Sequence, residues 1–247
     1  MNLKDKVVLI TGGRRIGTVV APNLALKGAH IAITYRSELG EMADLIKKVE
    51  AQGQRCLSHR ADVSKEEEVN KLIDDVYKNL GRIDVLINMA SIFKKRPFEK
   101  LTGSDWDEDV DVNAKSVFLT SKAVAPYMKK QGSGKIINFA DWIAASNRPH
   151  YTHEGYLTYY AGKYAVIGLT LAFALQLAPK IQVNAIAPGP ILPPPDLTEE
   201  ENKEVIKQTP LGRWGGAAEI AKAVNFLIDS DFMTGEVIRV DGGRHLL

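Results

Sequence analysis

The chain is expected to form one α/β domain, a doubly wound parallel sheet of about seven strands with helices on both faces. Three observations predict this. Short apolar runs rich in β-branched residues alternate with helical patterns along the whole length. Several of these runs are apolar at nearly every position, as strands covered on both faces must be. A glycine turn follows the first run and opens a helical segment, "VVLITGGRRIGTVVAPNLALKG".

Taken in order, the strand candidates are Val7–Ile10, His30–Thr34, Arg55–Leu57, Ile83–Asn88, Lys135–Phe139, Ile181–Ile186 and Val237–Val240. Between them lie segments such as Lys65–Leu80, where Val69, Leu72, Ile73, Val76 and Leu80 recur at helical spacing. The acidic residues that open this segment suit the positive end of a helix dipole. Tyr164–Ala178 is the most apolar later stretch; it is short for a bilayer span and reads as a buried helix. The loop "PGPILPPPD", Pro188 to Asp196, is stiff and follows a strand, so it is either a wall of the substrate site or a plain connector. No repeat or linker divides the chain. Residues 1–247 are read as a single domain, with dinucleotide binding mainly in 1–115 and catalytic and substrate elements mainly in 138–215.

The 45% apolar content suffices for one substantial core. A net charge of +2, from 32 basic and 30 acidic residues, gives no reason to expect nucleic acid or a membrane as partner. A single cysteine, Cys56, excludes an internal disulfide framework and an all-cysteine metal site. The four-residue apolar run near the N-terminus does not read as a signal peptide, so the default is a soluble cytoplasmic protein. His150 and His153 have a spacing that can hold zinc on a helix, but Pro149 and Gly155 point to a loop, and no metal is expected.

Gly12, Gly13 and Gly17 allow a backbone to approach phosphate closely, and the helix N-terminus behind them offers N–H groups. The second strand ends Thr34-Tyr35-Arg36-Ser37, and its first acid, Glu38, comes only after the arginine. An arginine there suits a 2′-phosphate, and Arg14 and Arg15 add positive charge, so NADP(H) is favoured over NAD(H). In "YYAGK", Tyr159 and Lys163 are four residues apart and share a helix face. A neighbouring ammonium is expected to depress the phenol's pKa and prepare it as a general acid, while Tyr160 points elsewhere as packing.

With these residues in place, the whole chain resembles the short-chain dehydrogenase/reductase family, a Rossmann-type fold. The matching segments, in order, are "TGGRRIG", "ADVS", "INMAS", "VNAKS", Tyr159-x-x-x-Lys163, "IAPG" and "TGEVIRVDGG". The resemblance implies that Tyr159 is the general acid, that Lys163 lowers its pKa and holds the nicotinamide ribose, and that Asn113 helps hold a proton-relay water. It also implies Asp62 by the adenine and Asn88 by the cofactor ribose. Gly12, Arg14, Arg15, Ile16, Gly17, Arg36, Ser37, Val63, Ala90, Ser91, Pro188 and Gly189 complete the implied cofactor site. Family members are usually tetramers, and the apolar segment Tyr164–Leu177 is consistent with a homotetramer interface.

Two departures stand out. The glycine turn is one residue shorter than the family's usual form, and Arg15 replaces its middle glycine. The family's serine before the tyrosine is also displaced: in "KIINFADWIAAS" Asp141 takes its place, or else Ser146, thirteen residues before Tyr159, does. An ionised carboxylate only accepts hydrogen bonds and suits donor-rich ring nitrogens better than a ketone oxygen. Asp141, "GGRRIG", "TYRS", "NMASIF", "NFADWIA" and "DGGRHLL" resemble the pteridine reductase and bacterial dihydromonapterin reductase branch. That resemblance implies Phe93 stacking on a pterin, with Arg15, Asp141 and Tyr159 also on the substrate, and reduction of a C=N bond. The alternatives are reduction of a ketone such as a 3-oxoacyl thioester or sugar, or a cofactor-binding sensor without turnover.

Overall fold

The structure is a computed structural model and describes residues 1–36, 40–146, 154–195 and 197–247. Seven strands form one sheet in the order β3-β2-β1-β4-β5-β6-β7. They are β1 (Val7–Thr11), β2 (His30–Tyr35), β3 (Cys56–Arg60), β4 (Val85–Asn88), β5 (Gly134–Phe139), β6 (Ile181–Pro188) and β7 (Val237–Val240). Every pairing is parallel. All seven expected strands are present. The third extends beyond its apolar run because Ser58, His59 and Arg60 lie on the sheet's edge, where half-exposed polar residues pair as well as apolar ones.

The helices are α1 (Gly17–Leu26), α2 (Gly40–Glu50), α3 (Glu66–Leu80), α4 (Gly103–Val110), α5 (Ser116–Gln131), α6 (Trp142–Ser146), α7 (Leu157–Leu177), α8 (Glu199–Lys207) and α9 (Ala217–Asp229). α1, α2 and α9 cover one face of the sheet, packing Val20, Leu24, Leu45, Ile220 and Val224 on Ile10, Ile31 and Ile87. α3, α5 and α7 cover the other, with Val69, Ile73, Val124, Met128 and Leu177 against Leu9, Leu86 and Val183. α3 matches its expected span: three glutamates complement the dipole of its first turn, and Gly81 ends it in the left-handed conformation.

α4 begins with a reciprocal box in which the Thr102 side chain accepts from Asp105 N and the Asp105 side chain accepts from Thr102 N. Its last turn runs directly into a π-helical turn, Asp111–Lys115, and then α5. α7 is longer than the apolar stretch that announced it and is buried on one face only. Tyr159, Lys163, Val166, Thr170 and Ala174 face inward, while Leu171 and Leu175 are exposed.

Strand order reverses between β1 and β4, which pair Thr11 with Asn88. Crossovers leave that point in opposite directions and open a crevice at the carboxyl ends of the strands. Every segment considered below converges there.

Candidate active site

At the phosphate end, the shortened turn closes by left-handed backbone. Gly12 and Gly13 have φ of 70° and 105°, and Arg15, where the family has glycine, has φ of 63°. A Cβ on Gly12 would come within 2.9 Å of the Ala90 Cα, so only glycine lets β1 and β4 approach this closely. Gly12 N donates to Thr34 Oγ1 at 2.9 Å, so the polar end of β2 braces the turn. The first turn of α1 holds no acid, and Ile16 at its cap supplies no side-chain acceptor. The donor set of backbone N–H groups behind a glycine cradle, with Arg14 beside it, fits a dinucleotide's phosphates.

Arg15 donates from Nη2 to the Pro193 carbonyl, tying the glycine turn to the proline-rich loop after β6. That bond holds the loop against the glycine turn.

At the end of β2, Arg36 Nε lies 3.7 Å from Asp62 Oδ2. Asp62 Oδ1 accepts from the Ser64 backbone and hydroxyl at 3.1 and 2.6 Å. Burial acts to raise the Asp62 pKa, but the Ser64 bonds and the cations Arg36 and Lys65 outweigh it, and the net shift is downward. Val63 is buried beside it. Ser37, Glu38, His150 and His153 lie outside the described residues.

The catalytic candidates meet where β5 ends. Tyr159 donates from its hydroxyl to Asp141 Oδ2 at 3.0 Å. The other carboxyl oxygen accepts from Ile143 N at 2.8 Å, so Asp141 also caps α6. Lys163 Nζ donates to the Phe139 carbonyl at 2.9 Å and sits 5.6 Å from the Tyr159 ring centre. Ser146, the rival for the serine position, donates back to Ile143 O within its own helix. Of the two, only Asp141 reaches the tyrosine.

The electrostatics reverse one expectation. The Tyr159 phenol stands well above its ordinary pKa, first because it is buried and then because Asp141 is beside it. Lys163 Nζ lies on the ring's face, and its charge does not offset the burial and the carboxyl. Burial also raises the Asp141 carboxyl, against the pull of the Ile143 and Tyr159 bonds and Lys163. Burial lowers Lys163 to about 8, with Asp141 opposing. Tyr159 is thus held protonated, as a proton donor must be. Tyr160, the expected packing residue, is buried with its ring 5.3 Å from that of Tyr159.

Asn113 occupies the π turn. Its Oδ1 accepts from Ser91 Oγ at 2.6 Å and Ile92 N at 3.2 Å, and its Nδ2 donates to Ile92 O at 3.1 Å. The amide therefore fixes the loop that carries Phe93. The Phe93 ring stacks on Tyr156 at 4.1 Å and meets Tyr159 edge-on at 4.8 Å. Phe93 remains half exposed, an apolar lip beside the proton donor.

The Asn88 side chain lies one layer below, in a buried network with Thr120, Ser121 and Asn138 that ties β4 to β5 and α5. Pro188 and Gly189 lie where β6 ends. A Cβ on Gly189 would meet that of Asp241 at 2.6 Å, so glycine is required there for packing.

Residue-by-residue reading passed over two positions that the geometry makes important. A Cβ on Gly162 would sit 3.0 Å from that of Asn113, so this glycine sets the distance between the π turn and α7. Thr158, immediately before the tyrosine, donates to the buried Asp109 of α4. The small residues in "YYAGK" carried the only sequence signal for the first; nothing local marked the second.

Comparison with known proteins gives the family. Residues 12–245 match the family described as enoyl-(acyl carrier protein) reductase. A 3-oxoacyl-[acyl-carrier-protein] reductase, FabG, from Staphylococcus epidermidis is 34% identical over 248 residues, covering 98% of this chain and all of its own. FabG of Thermotoga maritima is also 34% identical, over 98% of this chain and 99% of its own. A short-chain dehydrogenase/reductase of Serratia marcescens superposes with a TM-score of 0.90 at 30% identity, covering 99% of this chain and 100% of its own. The chain belongs to the short-chain dehydrogenase/reductase family.

Levodione reductase has the same fold at a TM-score of 0.90 and 31% identity, with 99% of each chain covered. Membership makes the protein an oxidoreductase that uses a nicotinamide cofactor and a small-molecule substrate. The two sequence relatives named here are 3-oxoacyl-[acyl-carrier-protein] reductases, so the pteridine branch expected from Asp141 and "DGGRHLL" has no support from them.

Proposed function

We propose that the protein is an NADPH-dependent reductase of a carbonyl compound, of the 3-oxoacyl class for which its relatives are named. The observation that carries this reading is the buried Tyr159 hydroxyl held 3.0 Å from Asp141, with Lys163 one turn along the same helix. When bound, the nicotinamide supplies the hydride.

The protein's own residues do the rest. Tyr159 gives its proton to the carbonyl oxygen as charge develops there. The sequence argument against a ketone assumed an ionised Asp141. Burial raises that carboxyl and so lessens the repulsion this argument assumed, and only its protonated form can donate a hydrogen bond to the oxygen as the family serine would. Lys163, largely ammonium at neutral pH, adds positive charge beneath the reacting centre. Asn113 fixes the loop of Ser91 and Phe93 and is the candidate holder of a relay water. Preference for NADPH rests on Arg36 at the end of β2 and on Arg14 and Arg15 in the turn, with Gly12, Ile16, Gly17, Val63, Ala90, Pro188 and Gly189 lining the cofactor's path. A cytoplasmic homotetramer remains the proposed setting.

A second reading, reduction of a C=N bond in a dihydropterin, is favoured by one feature. Phe93 beside Tyr159 and Asp141 offers an aromatic platform with a polar edge.

One experiment tests both: loss of nicotinamide absorbance with acetoacetyl thioester and dihydrobiopterin, in the native protein and in Tyr159→Phe, Asp141→Ser and Asp141→Ala. Tyr159→Phe is expected to lose roughly 10²- to 10⁴-fold in kcat with NADPH binding kept. Thioester turnover that survives Asp141→Ser supports the carbonyl reading. Turnover of the pterin alone, abolished in Asp141→Ala, replaces it with the second.

A further inference from the structure

Arg96, on the loop after β4, is gripped by three acids of α4. Its guanidinium contacts Asp105 and Glu108, and its Nε lies 3.1 Å from Asp109 Oδ2. Asp109 is fully buried, yet the family reaction does not use it. The same Asp109 oxygen accepts from the Thr158 hydroxyl, in the first turn of α7 immediately before Tyr159. Arg96 N also donates to Gly155 O at 2.7 Å, just ahead of that turn.

Three elements therefore meet on one carboxylate: the loop carrying Phe93, the helix leading to Asn113, and the turn carrying the proton donor. Tyr156, the N-cap of α7, makes no side-chain cap hydrogen bond, so contacts from other elements help to hold the helix's first turn. A buried carboxylate held by a forked guanidinium is a rigid anchor, because neither group can leave without stranding the other's charge.

We propose that Arg96, Asp109 and Thr158 form a positioning bridge that sets the Tyr159 hydroxyl against Asp141 and the substrate. The inference rests on the reading of Tyr159 as proton donor. The three residues act through the backbone of residues 158 and 159 and through the loop of Phe93.

The test uses Thr158→Val, which keeps shape and loses the donor, with Thr158→Ser as rescue and Tyr159→Phe as control. Activity is measured with acetoacetyl thioester, or with dihydrobiopterin if only that is turned over. Thr158→Val is expected to lose on the order of tenfold in kcat, with KM for NADPH within about twofold, because a small misplacement of a catalytic group costs rate rather than cofactor binding. Thr158→Ser is expected to recover most of the loss. A structure of Thr158→Val is expected to show Tyr159 and Asp141 beyond hydrogen-bond reach.

A Thr158→Val protein that melts earlier but keeps its kcat, a loss that serine does not restore, or an unchanged 3.0 Å contact each overturns the bridge. If Tyr159→Phe loses turnover and Thr158→Val does not, the bridge alone fails. If Tyr159→Phe keeps full turnover, the proton-donor reading falls as well.

Discussion

At the scale of single residues, the site is governed by burial. Tyr159 and Lys163 are buried and Asp141 is partly buried beside them, and desolvation is the largest influence on each of the three. Helical spacing placed tyrosine and lysine on one face, but it could not weigh a carboxyl from another element against the ammonium. The consequence for Lys163 can be measured. Its pKa falls from 10.5 to about 8 on folding, so between those values the unfolded chain holds a proton that the folded chain has released. Stability tied to this group is therefore gained as pH rises from about 8 to 10.5 and lost as pH falls back through 8. The full swing is about 3 kcal/mol. Urea unfolding of the native protein and of Lys163→Met at both ends of this window should show the native protein gaining on the variant as pH rises; a gap that stays flat or narrows rejects the assignment.

At the scale of elements, two close approaches define the site's walls. α7 meets the π turn at Gly162. Gly162→Ala would gain about 1 kcal/mol of helix propensity. The new Cβ must fit 3.0 Å from that of Asn113, between two backbones that cannot easily part, and overpacking of this kind costs about 1–3 kcal/mol. The expected net result is lower stability, by thermal unfolding, together with a fall in kcat as Asn113 and Tyr159 separate.

The glycine turn is the second such place. Arg15 holds a left-handed backbone that costs a non-glycine residue about 1–2 kcal/mol. Arg15→Gly relieves this but widens the unfolded ensemble by about 0.4–1 kcal/mol, so stability should move by about 1 kcal/mol or less. The tether to Pro193 and one positive charge are lost, and KM for NADPH is expected to rise severalfold in steady-state kinetics. An unchanged KM would show that Arg15 serves the loop alone.

At the scale of the whole molecule, the reversal of strand order between β1 and β4 explains why residues from 12 to 163 form one site. α7 also links that site to the surface. Its inner face carries Tyr159 and Lys163; its outer face exposes Leu171 and Leu175, near Phe118 of α5 and Phe173. Leu175 is 85% exposed, which is unusual for an apolar side chain in mid-helix and fits the proposed homotetramer. Sedimentation should find an oligomer in the native protein and smaller species in Leu175→Glu; a native monomer would remove the tetramer.

The sequence by itself determined the sheet, because strands buried on both faces must be apolar throughout and announce themselves as such. It also determined the glycine turn after β1, because a strand, a run of glycines and a helical pattern follow one another there, and the shared face of Tyr159 and Lys163, because a helix converts spacing into direction. It did not separate Asp141 from Ser146 or show that Thr158 rests on Asp109, and it misjudged the phenol's pKa. Those matters belong to the tertiary structure. Each depends on contacts between residues distant in the chain, and on how much water their packing excludes, and neither quantity has a local signature.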